Sequence, residues 1–193
     1  PFARHTVYNR KYGNHIIFLL IKRPIGLFNM NIITPYMTKL SILDYLNKLI
    51  KNETTDDMHT HMHYPTPISK TLGINIIEAG LGTATVQINT TKELHSNQQG
   101  TIHGGLLCEL ADAAIGTAHS TLIQEGETFT SVELKINFYR PVFEDILTAK
   151  ASPLHNGKNL SHYQCDIFRS DGKKAAMITS TVMTLRGDKA TGR

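Results

Sequence analysis

The stretch from His103 to Ile123 limits what this 193-residue chain can become. Its Leu106, Leu107, Leu110, Ala111, Ala113, Ala114, Ile115 and Ala118 are apolar almost all the way round a helical wheel, and a helix without a broad polar face has to be enclosed. The enclosing material lies on either side of it. Leu72 to Glu78 and Thr83 to Asn89 are rich in β-branched residues and separated by Gly80-Leu81-Gly82. Four more strand-like runs follow the helix: Phe129 to Tyr139, Leu147 to Leu154, Ser161 to Arg169 and Ala175 to Leu185. Asn156-Gly157 and Asp171-Gly172, between the last three runs, favour tight hairpins. The pattern predicts an α+β domain in which an antiparallel sheet of about six strands curls around one long central helix.

The chain upstream reads differently. Leu40, Ile42, Leu43, Tyr45, Leu46, Leu49 and Ile50 recur at helical spacing behind a cap at Thr38 or Ser41. Lys51 to Tyr64 is polar, ends at Pro65 and Pro67, and reads as a linker. The first 30 residues hold Arg4, Arg10, Lys11, Lys22 and Arg23 and no acid, and they show no obvious stable element. Of the 20 Lys and Arg in the chain, 15 remain against 16 Asp and Glu once those five are set aside, so the body is near neutral. The basic balance therefore belongs to one terminal stretch rather than to a folded face, which argues against nucleic-acid binding.

Ile16 to Ile21 is too short to span a membrane, is cut by Lys22-Arg23-Pro24, and lacks a secretory cleavage pattern. With Pro1 first and methionines only from Met30 and Met37, the expectation is a native start at one of these. The organisation expected is a basic extension over 1–36, an amphipathic helix and linker over 37–66, the sheet-and-helix domain over 67–186 and a tail over 187–193.

The central helix is not uniformly apolar. At about 100° per residue, Gly105, Cys108, Glu109, Asp112, Gly116 and His119 share one stripe. A carboxylate in the middle of an apolar helix is costly unless something compensates, and the small residues around Asp112 leave room for a ligand. The helix start offers the complementary half. Free N-H groups and the positive end of the helix dipole favour negative charge there, and Gly104 and Gly105 carry no side chain to obstruct a carbonyl. His103 and Asp112 lie nine residues apart, which on a helix means about 13 Å of rise and opposite faces. If both touch one ligand, two subunits have to pool them across an isologous interface.

At these residues a resemblance becomes specific. Asn97-x-x-Gly100-Thr101-Ile102-His103-Gly104-Gly105 followed by Leu110-Ala111-Asp112 resembles the hotdog-fold acyl-CoA thioesterases of the phenylacetate-pathway and 4-hydroxybenzoyl-CoA type. Ser131 to Phe138 resembles their strand after the helix, and Gly157-Lys158-Asn159-Leu160 the turn that meets the nucleotide end of CoA. The resemblance covers roughly Pro67 to Leu185. It implies Asp112 as general base or nucleophile, the Gly104 N-H as donor to the carbonyl oxygen, and His103 with Asn97 holding the loop and positioning water or substrate. It further implies Ser131 orienting the water. Gly105, Glu133, Phe138, His155, Asn156, Gly157, Lys158, Asn159 and Leu160 would contact the substrate. The expected substrate is a small aromatic or medium-chain acyl-CoA; the expected assembly is a homodimer, paired further into a dimer of dimers. The plainer readings are a helix cap for His103, a turn residue for Asn97 and a strand hydroxyl for Ser131.

Neither metal nor further cofactor is expected, because a thiolate leaving group needs an activated water and a polarised carbonyl more than a strong acid. His59, His61 and His63 alternate but lack a carboxylate or cysteine at useful spacing. Cys108 and Cys165 show no disulfide, metal or redox spacing, which suits a reducing, cytoplasmic setting and makes Cys108 a small apolar filler. Two rival readings are a hotdog dehydratase or hydratase on acyl thioesters, and a non-catalytic acyl-CoA-binding module.

Overall fold

In the computed structural model, residues 37–191 are described throughout, together with the backbone of 6–7, 16–20 and 30–32. Two compact units divide the chain, Pro1–Thr38 and Lys39–Arg193. In the first, Thr6–Val7, Ile16–Leu20 and Met30–Ile32 form a three-stranded antiparallel sheet with the middle segment central. This corrects the expectation of no stable element there, since a run as short as Ile16 to Leu20 is long enough for a strand. Arg4, Arg10, Lys11, Lys22 and Arg23 lie outside the described residues.

The second unit begins with α1, Ile42–Ile50, capped by the Ser41 hydroxyl, which accepts from the Asp44 N-H at 3.1 Å. Next comes α2, Pro67–Leu72, which takes in Leu72, the residue at which the first strand was expected to begin. The Thr66 hydroxyl caps it, Pro67 opens it where its missing N-H costs nothing, and Gly73 closes it at φ 75°. The two prolines that read as linker punctuation thus announce a helix.

The sheet strands are β1 (Asn75–Gly80), β2 (Thr83–Thr90), β3 (Thr128–Phe138), β4 (Asp145–Asn156), β5 (Leu160–Phe168) and β6 (Lys174–Leu185). A short turn of helix, α3 (Lys92–His95), and the long α4 (Gly104–Ser120) lie between β2 and β3. All six strands form one antiparallel sheet in the order β1-β2-β4-β5-β6-β3, so β1 and β3 are its edges.

Alternation drives this arrangement. Ser161, Tyr163, Cys165 and Ile167 of β5 are buried, as are Ala176, Ile178, Ser180, Val182 and Thr184 of β6, while residues between them are more exposed. That inner face meets α4, whose Leu107, Leu110, Ala111, Ala114, Ile115 and Ala118 are buried in the same core. Alanines on the helix let the sheet come close. A second cluster joins Ile42 and Leu46 of α1 to Ile123, with Met62, Tyr64 and Phe129 packed against it. The stretch read as a linker is therefore part of the packed body, and Leu40 donates its N-H to the His59 carbonyl at 2.9 Å. Among the described residues no helix is long and apolar enough to cross a membrane.

Candidate active site

Asp112 sits half-buried in the middle of α4, facing β3. Ser131 donates its hydroxyl to the Asp112 Oδ1 at 2.8 Å. The local backbone explains this aim. Between β3 and β6 the pairing runs Glu133 with Thr181 and then Ser131 with Val182, so Val132 is an extra, bulged residue. A bulge breaks the strict alternation of a strand and redirects its neighbours. Asp112 Oδ2 has no hydrogen-bond partner among the described residues, and Asp112 lines a cavity of about 390 Å³ with Gly105, Cys108, Glu109, Ser131, Glu133 and Leu134.

Glu109 stands one turn before Asp112 on the same stripe. It is half-buried in the same cavity wall. Burial first, and then the charge of Asp112, raise its pKa above the ordinary glutamate value. Burial also raises the Cys108 thiol, so it is less of a thiolate than a free cysteine and poorly suited to nucleophilic attack. The spacing of Cys108 and Glu109 from Asp112 along the stripe was the signal that could have placed both in the site.

The start of α4 is built by local bonds. His103 is the N-cap, and its Nδ1 accepts from the Gly105 N-H at 2.9 Å. A β-carbon on Gly105 would come within 3.0 Å of that nitrogen, and one on Gly104 within 2.8 Å of the Phe138 ring. A side chain at either position would therefore have to displace the Phe138 or the His103 ring. Among the described residues no acceptor takes the Gly104 N-H. Asn97 spends its side chain on its own loop. Its Oδ1 accepts from the Gln99 and Thr101 N-H groups, and its Nδ2 donates to the Thr101 hydroxyl. The plainer readings of His103 and Asn97, a cap and a turn residue, describe the geometry within one chain.

Gly104 and Phe138 border a different cavity from Asp112, one closed by Tyr139 to Val142. A single chain therefore brings together Asp112, Ser131, Gly105 and Glu133 but not Gly104, His103 or Asn97 with them. The hairpin His155 to Leu160 is further removed and lines neither cavity. Arg186 ties it down, donating to the Lys158 carbonyl at 2.8 Å and to Asn159 Oδ1 at 3.2 Å, and the Asn156 Oδ1 accepts from Ser161. The Lys158 ammonium has no ion-pair partner among the described residues.

His119, grouped with Asp112 by the helical wheel, belongs to the core instead. It is 1% exposed. Its Nδ1 lies 3.3 Å from the Tyr163 hydroxyl and its Nε2 3.0 Å from the Thr184 hydroxyl. Desolvation drives its pKa down to about 4, so the ring is neutral near pH 7. His59, His61 and His63 do not converge: among the described residues no three His, Cys, Asp or Glu could hold a metal ion.

A second cavity at Asp112, of about 580 Å³, shares both Asp112 and Glu109 with the first one there. Its far wall is the segment His61 to Ser69. Nothing in the periodicity of that segment marks it as a cavity wall, because its role arises only from tertiary packing.

Comparison with known proteins places this arrangement. The profile of the family described as the thioesterase superfamily matches residues 99–176. The acyl-coenzyme A thioesterase PaaI of Escherichia coli is 34% identical over 111 residues, covering 57% of this chain and 76% of that protein. A putative esterase of Haemophilus influenzae is 30% identical over 86 residues, covering 45% of this chain and 62% of the esterase. The solved structure of E. coli PaaI superposes with a TM-score of 0.59 at 32% identity, over 64% of this chain and 87% of that one. The six-stranded sheet, the enclosed helix and these relatives agree: the chain belongs to the thioesterase superfamily, the hotdog-fold thioester hydrolases.

Proposed function

We propose that this protein hydrolyses acyl-CoA thioesters, with Asp112 as the group that activates water. The observation that carries the reading is the Ser131–Asp112 hydrogen bond, which leaves Oδ2 unpaired on a residue that lines a cavity. Ser131 fixes the carboxylate rotamer and leaves Oδ2 to take a proton from water. The water oxygen then bonds to the carbonyl carbon, the C–S bond breaks, and the proton passes to the departing CoA thiolate. The products are the free acid and CoA. Attack by Oδ2 itself would instead expel the CoA thiolate and form an acyl-aspartyl anhydride; if water then opens it at the aspartyl carbonyl, a single turnover in heavy-oxygen water labels Asp112.

The second half of the site comes from a second copy. β3 is a sheet edge of 11 residues, and an open edge of that length is a template for pairing. An antiparallel pairing of two such strands centred near Leu134 and Lys135 sets Ser131 close to Phe138 of a second copy. Because Phe138 presses on Gly104 within each chain, that pairing carries the unclaimed Gly104 N-H of one copy toward Asp112 of the other. An N-H placed there would stabilise the developing oxyanion. The name of the E. coli relative, an acyl-coenzyme A thioesterase, supports CoA esters as the substrate class, and the unpaired Lys158 on its exposed hairpin suits a phosphate. A small aromatic or medium-chain acyl group completes the proposal.

The test is thiol release from a panel of acyl-CoAs, together with the oligomeric state in solution. Turnover is expected in the wild type, which is expected to be a dimer or a pair of dimers. A wild type that binds acyl-CoA without releasing thiol would make the protein a binding module, and double-bond formation in place of thiol release would make it a dehydratase.

A further inference from the structure

We infer that the acyl group of the substrate occupies the second cavity, and that the His61–Ser69 segment, upstream of the sheet, decides which acyl groups fit. The inference rests on the hydrolase reading above. A thioester carbonyl has two arms that diverge from one carbon, and Asp112 stands where two cavities meet, bordering both. The first cavity runs along the open edge strand, on the side where a second copy would supply its helix start. The second lies between α4, the beginning of β3 and the upstream segment. Each arm has its own space.

The linings decide which arm goes where. In the second cavity Met62, Tyr64, Ile68, Ile76, Phe129 and Ala113 offer apolar surface, suited to a hydrocarbon. Its carboxylates are Glu109, Asp112 and Glu127, the last ion-paired with Arg186; His61 and His63 also border it, and among the described residues no Lys or Arg lines it. Such a wall repels phosphates, and equally an acyl group ending in a carboxylate. The occupant that fits is an uncharged acyl chain or aryl group.

Gly116 gives that group its entrance. It lies four residues after Asp112, on the same helical face, and it borders the cavity. A β-carbon there would touch only the Phe129 ring, at an ordinary 3.6 Å. An alanine at this position thus keeps the space open, while a branched side chain projects into it. The opposite wall is held firmly. Met62 and Tyr64 pack against the cluster of Ile42, Leu46 and Ile123, and the Thr66 hydroxyl accepts from the Ser69 N-H at 3.2 Å to start α2. Helix α1 therefore acts as the brace of a specificity wall, a task that the sheet and central helix leave unfilled.

Non-hydrolysable thioethers separate this inference from the catalytic one. Calorimetric titration of the full chain with S-octyl-CoA and S-methyl-CoA is expected to show a preference of about tenfold or more for the octyl compound, from the apolar surface it buries. Gly116→Leu is expected to lower octyl affinity about tenfold and methyl affinity less than about threefold, with Gly116→Ala close to wild type. Ile68→Ala, at a half-exposed wall position that tolerates truncation, should weaken octyl binding alone by about threefold. Equal affinity of the wild type for both thioethers, or losses in Gly116→Leu and Ile68→Ala that are nil or equal for both compounds, would overturn the assignment. A wild type that keeps the octyl preference yet releases no thiol from any acyl-CoA overturns the hydrolase reading and leaves the cavity assignment standing.

Discussion

The two halves of α4 treat their polar residues in opposite ways. Near its C-terminal end His119 is closed in, each ring nitrogen facing a hydroxyl, Tyr163 on one side and Thr184 on the other. In its middle Asp112 receives one hydroxyl, has no partner for its second oxygen among the described residues, and borders a cavity. Both residues interrupt an apolar helix, and both lie on the same wheel stripe. What separates a structural polar group from a reactive one is whether its hydrogen-bonding capacity is used up inside the protein. His119 has nothing left to offer a ligand, whereas Asp112 does.

That contrast breaks most sharply at Asp112 itself. Asp112→Asn is expected to cut thioester turnover about a thousandfold, equivalent to about 4 kcal/mol at the transition state, while the denaturant midpoint stays put. Unchanged turnover would remove Asp112 from the chemistry. Next in size is the acid sensitivity that His119 confers. Its pKa is about 4 in the folded protein against an ordinary 6.5, so between those values the unfolded chain binds the extra proton and stability drops as pH falls. The loss is complete near pH 4 and amounts to about 3 kcal/mol, readable from urea midpoints at pH 7 and pH 4.

His119→Leu sharpens the comparison from the other side. It should cost about 2 kcal/mol at pH 7 by stranding the Tyr163 and Thr184 hydroxyls, and it should flatten the acid slope relative to wild type. Its turnover per folded molecule should hold. Smallest is Ser131→Ala, which releases the Asp112 rotamer and is expected to lower kcat about tenfold with KM nearly unchanged. A Ser131→Thr variant that restores most of the rate would identify the hydroxyl as the operative group.

Legibility in the sequence followed the range of the interactions. The turn at Asn156-Gly157 and the alternating faces of β5 and β6 were legible because turn chemistry and strand period are local. The enclosed helix was legible because eight apolar residues surround it. Helix α2 was hidden by Pro65 and Pro67, which signal a break until Thr66 is recognised as a cap. His119 was misplaced because a wheel gives the direction of a side chain and not what the sheet packs against it. The Ser131–Asp112 pair was reached through resemblance alone, since a bulge at Val132 leaves no trace in composition. The wall from His61 to Ser69 was beyond reach, because it exists only once α1 is docked.

One consequence follows from where Ser131 sits. It belongs to the outermost strand of the sheet, one hydrogen bond from the acid of the central helix. On the proposed reading, whatever clamps, loosens or covers that rim would reach Asp112 through one hydrogen bond, and the rate per molecule would then respond to events at the molecular boundary and, if two copies share the rim, to dilution.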